Sequence, residues 1–309
     1  MSRSSLLRQP ESSPLNQPGQ QDSFVRELSA ADRQEARVLL ARDPLRGIYL
    51  HALIDSDGLC SQAGRGRFFG YFSEGELQGV ALLGHTTLIY TLPEAEAAAW
   101  FQFAQTAADI RMPCHLILGP CAQVETFFSY LAAHGWQTRL VSTHLCYASE
   151  HAPSPPLKSQ LCHASLNELE AIASANSELV QQVSGTDPGW NDAAGYRQRI
   201  AERIRRRQIW VKMENRQMVF KAEVALETEL TAYLEGVWTH PDWRNRGLAK
   251  SCLSELMHRL LCRHQRLCLL VELPGQAARR VYEQIGFVFI EAYQARYLLP
   301  LPESVAERQ

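Results

Sequence analysis

The sequence predicts an α/β protein, built on an α+β mixed sheet, that contains two copies of one fold in tandem. Its 309 residues suffice for about two domains. In the second half, apolar patterns and turn residues give the order α-α-β-β-β-α-β-α-β, which is typical of a sheet covered by helices. The halves also end alike, because "FFSYLAAHGWQTRLVSTHLCYA" and "RRVYEQIGFVFIEAYQARYLL" both run from a helix through glycine and an aromatic residue into a strand.

Composition and charge restrict the possible partners. Hydrophobic residues make up 46% and charged residues 21% of the chain, as in ordinary globular proteins. The net charge of −2 argues against nucleic-acid binding, and no apolar run approaches the roughly 18 to 20 residues of a membrane span. Eight cysteines without a CxxC pair, in a chain without a signal-peptide pattern, indicate reduced buried thiols and a cytoplasmic location.

A proline-rich segment near the middle of the chain predicts the domain boundary. Its prolines can neither continue a helix nor occupy a central strand. The start of the chain is rich in Ser, Pro and Gln, which is typical of disorder. The predicted segments are a disordered tail (1–22), a first domain (23–150), a linker (151–159), a second domain (160–300) and a short tail (301–309).

Turn residues delimit the elements of the first half. Gly58 ends a predicted helix in "RDPLRGIYLHALIDSDGL", and "SEGE" joins the two strands of a hairpin in "RFFGYFSEGELQGVALLG". Pro93 suits the first turn of the next helix. The remaining elements alternate as the strand "TTLIYT", the helix "PEAEAAAWFQFAQTAADI", the strand "HLILG", the helix "CAQVETFFSYLAAHG" and the strand "WQTRLVSTHLCYAS".

The second half is more regular. "SLNELEAIASANSEL" begins with a capping box, "QQVSGTDPGWND" is predicted as a loop, and "AAGYRQRIAERIRRR" is a second helix. "QIWVKM" and "MVFKAEVAL" form a hairpin, and "TAYLEGVWTH" is the next strand. Three elements follow: the amphipathic helix "GLAKSCLSELMHRLLCRH", the buried strand "LCLLVEL" and the helix "QAARRVYEQIG", closed by Gly286. "FVFIEAYQARYLL" is the last strand or strand pair.

The stretch "GVWTHPDWRNRGLA" places a cationic loop between a buried strand and the start of a helix. A helix N-terminus presents unpaired N–H groups and about half a positive charge. Gly247 lacks the Cβ that would keep a phosphate from the backbone, and two arginines add positive charge. The pattern therefore indicates a pyrophosphate site formed by Arg244, Asn245, Arg246, Gly247, Leu248, Ala249 and Lys250.

In this stretch the sequence resembles the GCN5-related N-acetyltransferase (GNAT) family. The resemblance rests on the phosphate loop and on the helix end in "AARRVYEQIGF", through Arg244, Gly247, Ala249, Tyr282, Gly286 and Phe287. It covers roughly residues 160–299, and the two motifs together are much more specific than either alone. The tandem arrangement resembles two-domain members of the family, which implies two tandem GNAT-like domains with a degenerate N-terminal one.

The resemblance implies an N-acetyltransferase that uses acetyl-CoA as cosubstrate and no metal. The acceptor would be a primary amine of a small molecule or a protein, attacked directly. The backbone of Val237, Trp238 and Thr239 is expected to pair with the pantetheine arm, and an N–H near Val237 or Trp238 to stabilise the thioester oxygen. Tyr282 is expected to protonate the departing thiolate.

Direct attack requires a neutral amine, so a base or a water chain should accept its proton. Glu235, on the strand before the phosphate loop, is the candidate base. Tyr233 points to the same face of the strand and is the alternative. A second hypothesis keeps the cofactor but not the chemistry: a non-catalytic module that binds acyl-CoA as a sensor or scaffold.

Two departures from the family pattern affect these expectations. Gly275 stands where many members have an Asn that contacts the CoA arm. In the N-terminal half, Pro93 removes a donor, Glu94 and Glu96 repel phosphate, and Leu131 stands in the position of the tyrosine. We therefore expect that half to bind no CoA and instead to shape the acceptor site.

Three further patterns concern possible charge, metal and acceptor sites. "RIRRR", residues 203–207, is interpreted as a solvated helix face. The spacing of His258, Cys262, His264 and Cys268 matches no common zinc site. The loop that carries Asp187, Trp190 and Asp192 is expected to line the acceptor side and would suit a cationic or aromatic amine.

Overall fold

The computed structural model describes residues 23–59, 66–154, 159–184 and 187–301. The predicted tail 1–22, residues 302–309 of the second tail and residues 155–158 of the predicted linker lie outside these ranges. Within them, no helix combines the length and the apolar character that crossing a membrane requires.

Twelve strands and eight α-helices make up the described chain. The strands are β1 (Ser23–Glu27), β2 (Arg67–Ser73), β3 (Glu76–Leu83), β4 (Thr86–Thr91), β5 (Leu116–Pro120), β6 (Thr138–Ser149), β7 (Cys162–His163), β8 (Ile209–Glu214), β9 (Gln217–Glu227), β10 (Thr231–Thr239), β11 (Arg266–Glu272) and β12 (Val288–Leu298). The helices are α1 (Arg33–Leu40), α2 (Ile48–Asp57), α3 (Glu96–Asp109), α4 (Cys121–Ala133), α5 (Leu169–Ser184), α6 (Ala193–Arg205), α7 (Leu248–Leu261) and α8 (Gln276–Gln284).

The local signals identified most of these elements. Gly58 follows α2, and Ser165 and Glu168 form the predicted capping box ahead of α5. Two short strands, β1 and β7, and helix α1 were not predicted. One loop prediction was wrong in part, because α5 includes "QQVS" and ends at Ser184. The residues of this segment that favour a loop, Gly and Pro, come only after "QQVS".

All twelve strands form one mixed sheet, in the order β1-β2-β3-β4-β5-β12-β6-β11-β10-β9-β8-β7. The two halves exchange their last strands. Strand β12, from the end of the chain, pairs antiparallel with β5 and β6, and β6 in turn pairs with β11. The fold class, a mixed sheet made of two tandem units, is as predicted. The sequence boundaries between the units stay a prediction, and the exchanged strands cross them.

Helices cover both faces of the sheet. In the C-terminal half, α7 and α8 pack on one face over a core that includes Phe220 and Leu269, and α5 and α6 cover the other face. A separate cluster joins the halves: Leu45 and Ile48, beside and within α2, pack against Tyr233 of β10. The N-terminal half therefore contacts the sheet face next to the candidate base.

Candidate functional site

A wedge opens between β10 and β11 beside the predicted phosphate loop. The two strands pair in parallel only from Thr231 to Leu234 on β10. Gly236 then adopts a φ of +58°, and the register with β9 shifts between Glu235 and Trp238. Because a bulge bends the strand that carries it, the second half of β10 turns away from β11.

The phosphate loop has the geometry of an anion-binding nest. Asn245 and Gly247 both adopt left-handed conformations, with φ values of +60° and +76°. Within the described chain, none of the six N–H groups from Asn245 to Lys250 has a protein acceptor, and the Ser251 N–H makes the first bond of α7, to Gly247 at 3.0 Å. Residues 244–247 are exposed, and 248–250 form a half-buried first turn. Such a cluster of donors fits a pyrophosphate.

Arg244 holds this loop against β10. Its Nε donates to the Thr239 carbonyl at 2.9 Å and its Nη2 to Glu178 of α5 at 2.9 Å. Trp238 donates its ring N–H to the same carboxylate at 2.8 Å. Glu178 thus offsets part of the charge that the sequence assigned to the loop. Arg246 lies 5.8 Å from the centre of the Trp243 ring.

The end of β10 offers backbone groups to the wedge. The His240 N–H bonds to Val219 of β9, so alternation along the strand turns the Thr239 backbone toward the other side, where β11 has separated. The Val237 side chain packs in the core with α7 and α8, whereas Trp238 is 8% exposed and packs toward α5 and α6. Of the three predicted pantetheine contacts, Thr239 therefore presents its backbone to the wedge, whereas the same alternation turns the backbone of Trp238 toward β9.

Tyr282 lies on α8 at the wall of the wedge. Its ring packs in the cluster that contains Val237 and Val271, 5.9 Å from the ring of Phe287. Burial raises the pKa of Tyr282. Within the described chain its hydroxyl has no hydrogen-bond partner, so the group is available as a donor to a ligand. Gly275 immediately precedes α8 and provides no side chain to the wedge.

Glu235 belongs to a charged network that the sequence did not reveal. Its Oε1 accepts from Arg203 of α6 at 3.2 Å, and the same guanidinium nitrogen bonds Glu223 of β9 at 2.8 Å. Arg203 is exposed, as predicted for residues 203–207, but its pairing with two carboxylates was not predicted. Desolvation by the surrounding protein raises the pKa of Glu235, although 36% of its side chain is exposed, and Arg203 opposes the shift.

Lys221 is the buried end of this network. Its ammonium is 0% exposed and contacts three oxygens: Asn176 Oδ1 at 2.5 Å, the Gly236 carbonyl at 2.7 Å and Glu223 Oε1 at 2.8 Å. Burial lowers the pKa of Lys221, and Glu223 opposes that shift. Three acceptors match the three protons of an ammonium group, which favours the charged form of Lys221 against the effect of burial. The sequence feature that could have indicated this network is the pair of charged residues, Lys221 and Glu223, at alternate positions of an otherwise apolar strand.

The N-terminal half reaches the same region through Tyr49 of α2. Its ring centre lies 5.1 Å from that of Tyr233, the alternative base. Burial raises the pKa of Tyr233, and the charge of Glu235 adds to the effect. A phenol that ionises less readily than usual is a poor base, so of these two groups Glu235 is better suited to accept a proton.

The loop between α5 and α6 uses its acidic residues locally. Asp187 accepts from the Gly189 N–H at 2.9 Å, and Asp192 caps α6 by accepting from Gly195 at 2.7 Å. Trp190 is 84% exposed. Of the three predicted acceptor residues, only Trp190 presents a side chain that has no such local role.

The histidines and cysteines considered for zinc have other contacts. His258 bonds the Pro153 carbonyl at 2.6 Å, and His264 bonds the Thr228 carbonyl and Glu227, both at 3.0 Å. In the part of the chain that the structure describes, no three His, Cys, Asp or Glu side chains are grouped as metal ligands. The expectation of buried thiols is wrong for Cys162 and Cys262, which are exposed.

The N-terminal half has a similar but shorter opening. Strands β4 and β5 pair only from Thr86 to Leu88, and a short 3-10 turn at Pro93–Ala95 leads directly into α3 at Glu96. Leu131 is 1% exposed and belongs to the core. That no CoA binds in this half stays a prediction.

The fold and the loop define an α/β protein with an exposed cluster of backbone N–H donors beside a splayed strand pair. A family comparison narrows this class: residues 177–287 match the model of the acetyltransferase (GNAT) family. The C-terminal half thus contains a segment that matches the GNAT family model, and the fold as a whole is a tandem arrangement. A comparison with curated proteins found no significant match.

Solved structures share the fold over nearly the whole chain. A GCN5-related N-acetyltransferase from Sphaerobacter thermophilus is 15% identical with a TM-score of 0.57, over 92% of this chain and 98% of that one. A GNAT-family acetyltransferase from Colwellia psychrerythraea is 14% identical with a TM-score of 0.56, over 88% and 99%. A tandem GNAT protein from the clavulanic acid biosynthesis pathway is 13% identical with a TM-score of 0.54, over 92% and 100%.

Proposed function

We propose that the protein is an N-acetyltransferase that transfers an acetyl group from acetyl-CoA to a primary amine by direct attack. The observation that carries this proposal is the row of N–H groups from Asn245 to Lys250, beside the wedge, that find no acceptor among the described residues. The nest suits the pyrophosphate, and the wedge suits the narrow pantetheine arm. When bound, acetyl-CoA supplies an activated thioester.

Three parts of the chain carry the chemistry in this proposal. Glu235 accepts the proton that the amine loses as its nitrogen bonds to the acetyl carbon. The Val237 N–H stabilises the negative charge that develops on the thioester oxygen. As the carbon–sulfur bond breaks, Tyr282 donates its proton to the leaving sulfur, which departs as a thiol.

The acceptor would approach between α6 and α2. Arg203 and Glu235 stand on one side of this approach, and Tyr49 and Tyr233 contact each other on the other. In this proposal the N-terminal half forms one wall of the acceptor site, as ligand sites often lie between domains. The half-buried Glu235 carboxylate, which pairs with Arg203 in the described chain, favours an acceptor that arrives as a cation.

Thermal unfolding with and without acetyl-CoA tests the cofactor site. Saturation to about 100 times the dissociation constant stabilises the folded state by about 2.7 kcal/mol, which raises the midpoint. Gly247→Glu should abolish the rise, because it places a carboxylate among the donors of the nest.

Gly135→Glu is the matched control. Gly135 is also exposed and left-handed, with a φ of +94°, and a Cβ at either glycine would contact no atom within 4 Å. This variant therefore carries the same backbone strain and added charge, but should keep the rise. If acetyl-CoA did not raise the unfolding midpoint of the wild-type protein, both the transferase hypothesis and the acyl-CoA sensor hypothesis would be excluded. A rise without release of CoA to any of a panel of primary amines would favour the sensor.

A further inference from the structure

Lys221 is an unusual residue for its position. It lies within β9 with 0% of its side chain exposed, and burying a charge without partners is costly. Glu223 would suffice as a counter-ion, since it is also almost fully buried. The ammonium nevertheless makes a shorter contact, at 2.7 Å, with a backbone carbonyl that lies 15 residues further along the chain, that of Gly236.

That carbonyl belongs to the peptide unit at the bulge. The carbonyl of Gly236 and the N–H of Val237 share one planar trans peptide, so they point in opposite directions. Lys221, on β9, draws the carbonyl to its own side. The N–H of Val237 is thereby turned away from the ammonium and from the Asn176 and Glu223 oxygens that surround it.

Contact with a cation also polarises the peptide. Hydrogen-bonded groups in a chain strengthen one another, and the effect is larger in the interior of a protein than in water. A cation that contacts the carbonyl oxygen makes the N–H of the same peptide a stronger hydrogen-bond donor. The residue at the bulge must be glycine, because φ is +58° and a Cβ would lie 2.8 Å from Lys221 Nζ.

We propose that Lys221 is a positioning residue that fixes and polarises the Gly236–Val237 peptide, so that the Val237 N–H donates to the thioester oxygen of the bound acyl group. Lys221 itself contacts neither substrate. This proposal rests on the proposed function, and it makes the bulge an electrostatic element rather than only a bend in the strand.

Isotope-edited infrared spectroscopy tests the proposal without a known acceptor. The probe is acetyl-CoA labelled with ¹³C at the acetyl carbonyl, and the signal is the downshift of its stretching band on binding. Two variants are compared, Glu223→Gln and the double variant Lys221→Met with Glu223→Gln. The two proteins differ only at Lys221, and neither leaves a buried carboxylate at position 223 without its lysine partner.

We expect Glu223→Gln to retain the downshift, and the double variant to lose most of it while its affinity for CoA without the acetyl group is unchanged. An equal downshift in both variants, or bound acetyl-CoA without a downshift in the wild-type protein, would overturn the role of Lys221. Failure of the wild-type protein to bind acetyl-CoA would instead refute the proposed function.

A measurement on the wild-type protein covers the case in which the double variant does not fold. The amide proton of Val237 should move downfield when acetyl-CoA binds and much less when CoA binds. Equal shifts for the two ligands would show that this N–H does not contact the acetyl oxygen, which would also overturn the proposal.

Discussion

The ammonium of Lys221 donates to the carbonyl of Gly236 at 2.7 Å, and a Cβ added at Gly236 would lie 2.8 Å from that same nitrogen. The buried lysine and the glycine of the bulge therefore require each other. The contact also links two strands, since Lys221 lies on β9 and Gly236 on β10, where the register between them shifts.

Gly236→Ala should destabilise the protein by about 1–3 kcal/mol, through left-handed strain and displacement of Lys221. Gly75→Ala is the control, because Gly75 has a φ of +83° and a Cβ there would contact no atom within 4 Å. Urea unfolding of the three proteins gives the comparison. If both variants lose the same free energy of unfolding, backbone strain alone explains the effect and the contact with Lys221 adds nothing.

Arg203→Met should raise the pKa of Glu235 further above its usual range. Desolvation raises this pKa in the native protein, and the Arg203 cation opposes it by favouring the carboxylate. Without the cation the carboxylate is less favoured, so Glu235 would become deprotonated only at higher pH. The acid limb of any activity that needs Glu235 as a base should move in the same direction.

Titration of the Glu235 side-chain carboxyl carbon by NMR, assigned with Glu235→Gln, measures this shift directly. Arg205→Met is the control, because Arg205 lies on the same helix but pairs with Glu202 at 3.6 Å. A pKa for Glu235 that does not change in Arg203→Met, or that changes as much in Arg205→Met, would contradict the network.

Most local elements could be predicted, because helices and hairpins are determined by residues close in sequence. Gly58, Pro93 and the pair Ser165 and Glu168 mark their boundaries correctly. The strand exchange could not be predicted in this way. Strands β6 and β12 have apolar patterns that satisfy a neighbouring sheet equally well in either half, so only long-range packing decides their partners.

Within the candidate site, the backbone geometry of the loop could be predicted because it follows from nearby residues and their spacing. The phosphate loop has the predicted nest, and Tyr282 lies at the wedge. The charged network was missed because charges at alternate positions of a hairpin strand usually mark its solvent face. Lys221 and Glu223 are buried instead, since α6 brings Arg203 over them. Tyr49 was missed because its partner Tyr233 lies in the other half.

Tyr282→Phe should lower turnover by roughly 10²- to 10⁴-fold, the usual contribution of a general acid, while acetyl-CoA affinity stays unchanged. The ring still fills its place in the core, and its hydroxyl has no partner in the described chain whose loss would destabilise the fold. Release of CoA thiol to a panel of primary amines measures turnover, and calorimetry measures binding.

Tyr147→Phe is the matched control, because Tyr147 belongs to the same core and its hydroxyl bonds Glu283 of α8 at 2.8 Å. It should keep its turnover despite the loss of that hydrogen bond. Equal turnover in Tyr282→Phe and the wild-type protein would mean that another group, or water, protonates the leaving sulfur.

The two halves should fold together and not separately. Separation at the predicted linker, as chains 1–154 and 155–309, removes β12 from its place between β5 and β6 and exposes the cluster that joins the halves. Each fragment then has unpaired strand edges, which favour aggregation. We expect neither fragment alone to unfold cooperatively, and the co-expressed pair to regain a single transition.

Urea unfolding followed by circular dichroism and by tryptophan fluorescence checks this, because coincident transitions indicate one cooperative unit. A chain limited to residues 23–301 is the control, since it retains every described strand pairing and should unfold like the full-length protein. If residues 155–309 alone unfolded cooperatively and bound acetyl-CoA, the strand exchange would be dispensable, and the N-terminal half would act only as a wall of the acceptor site.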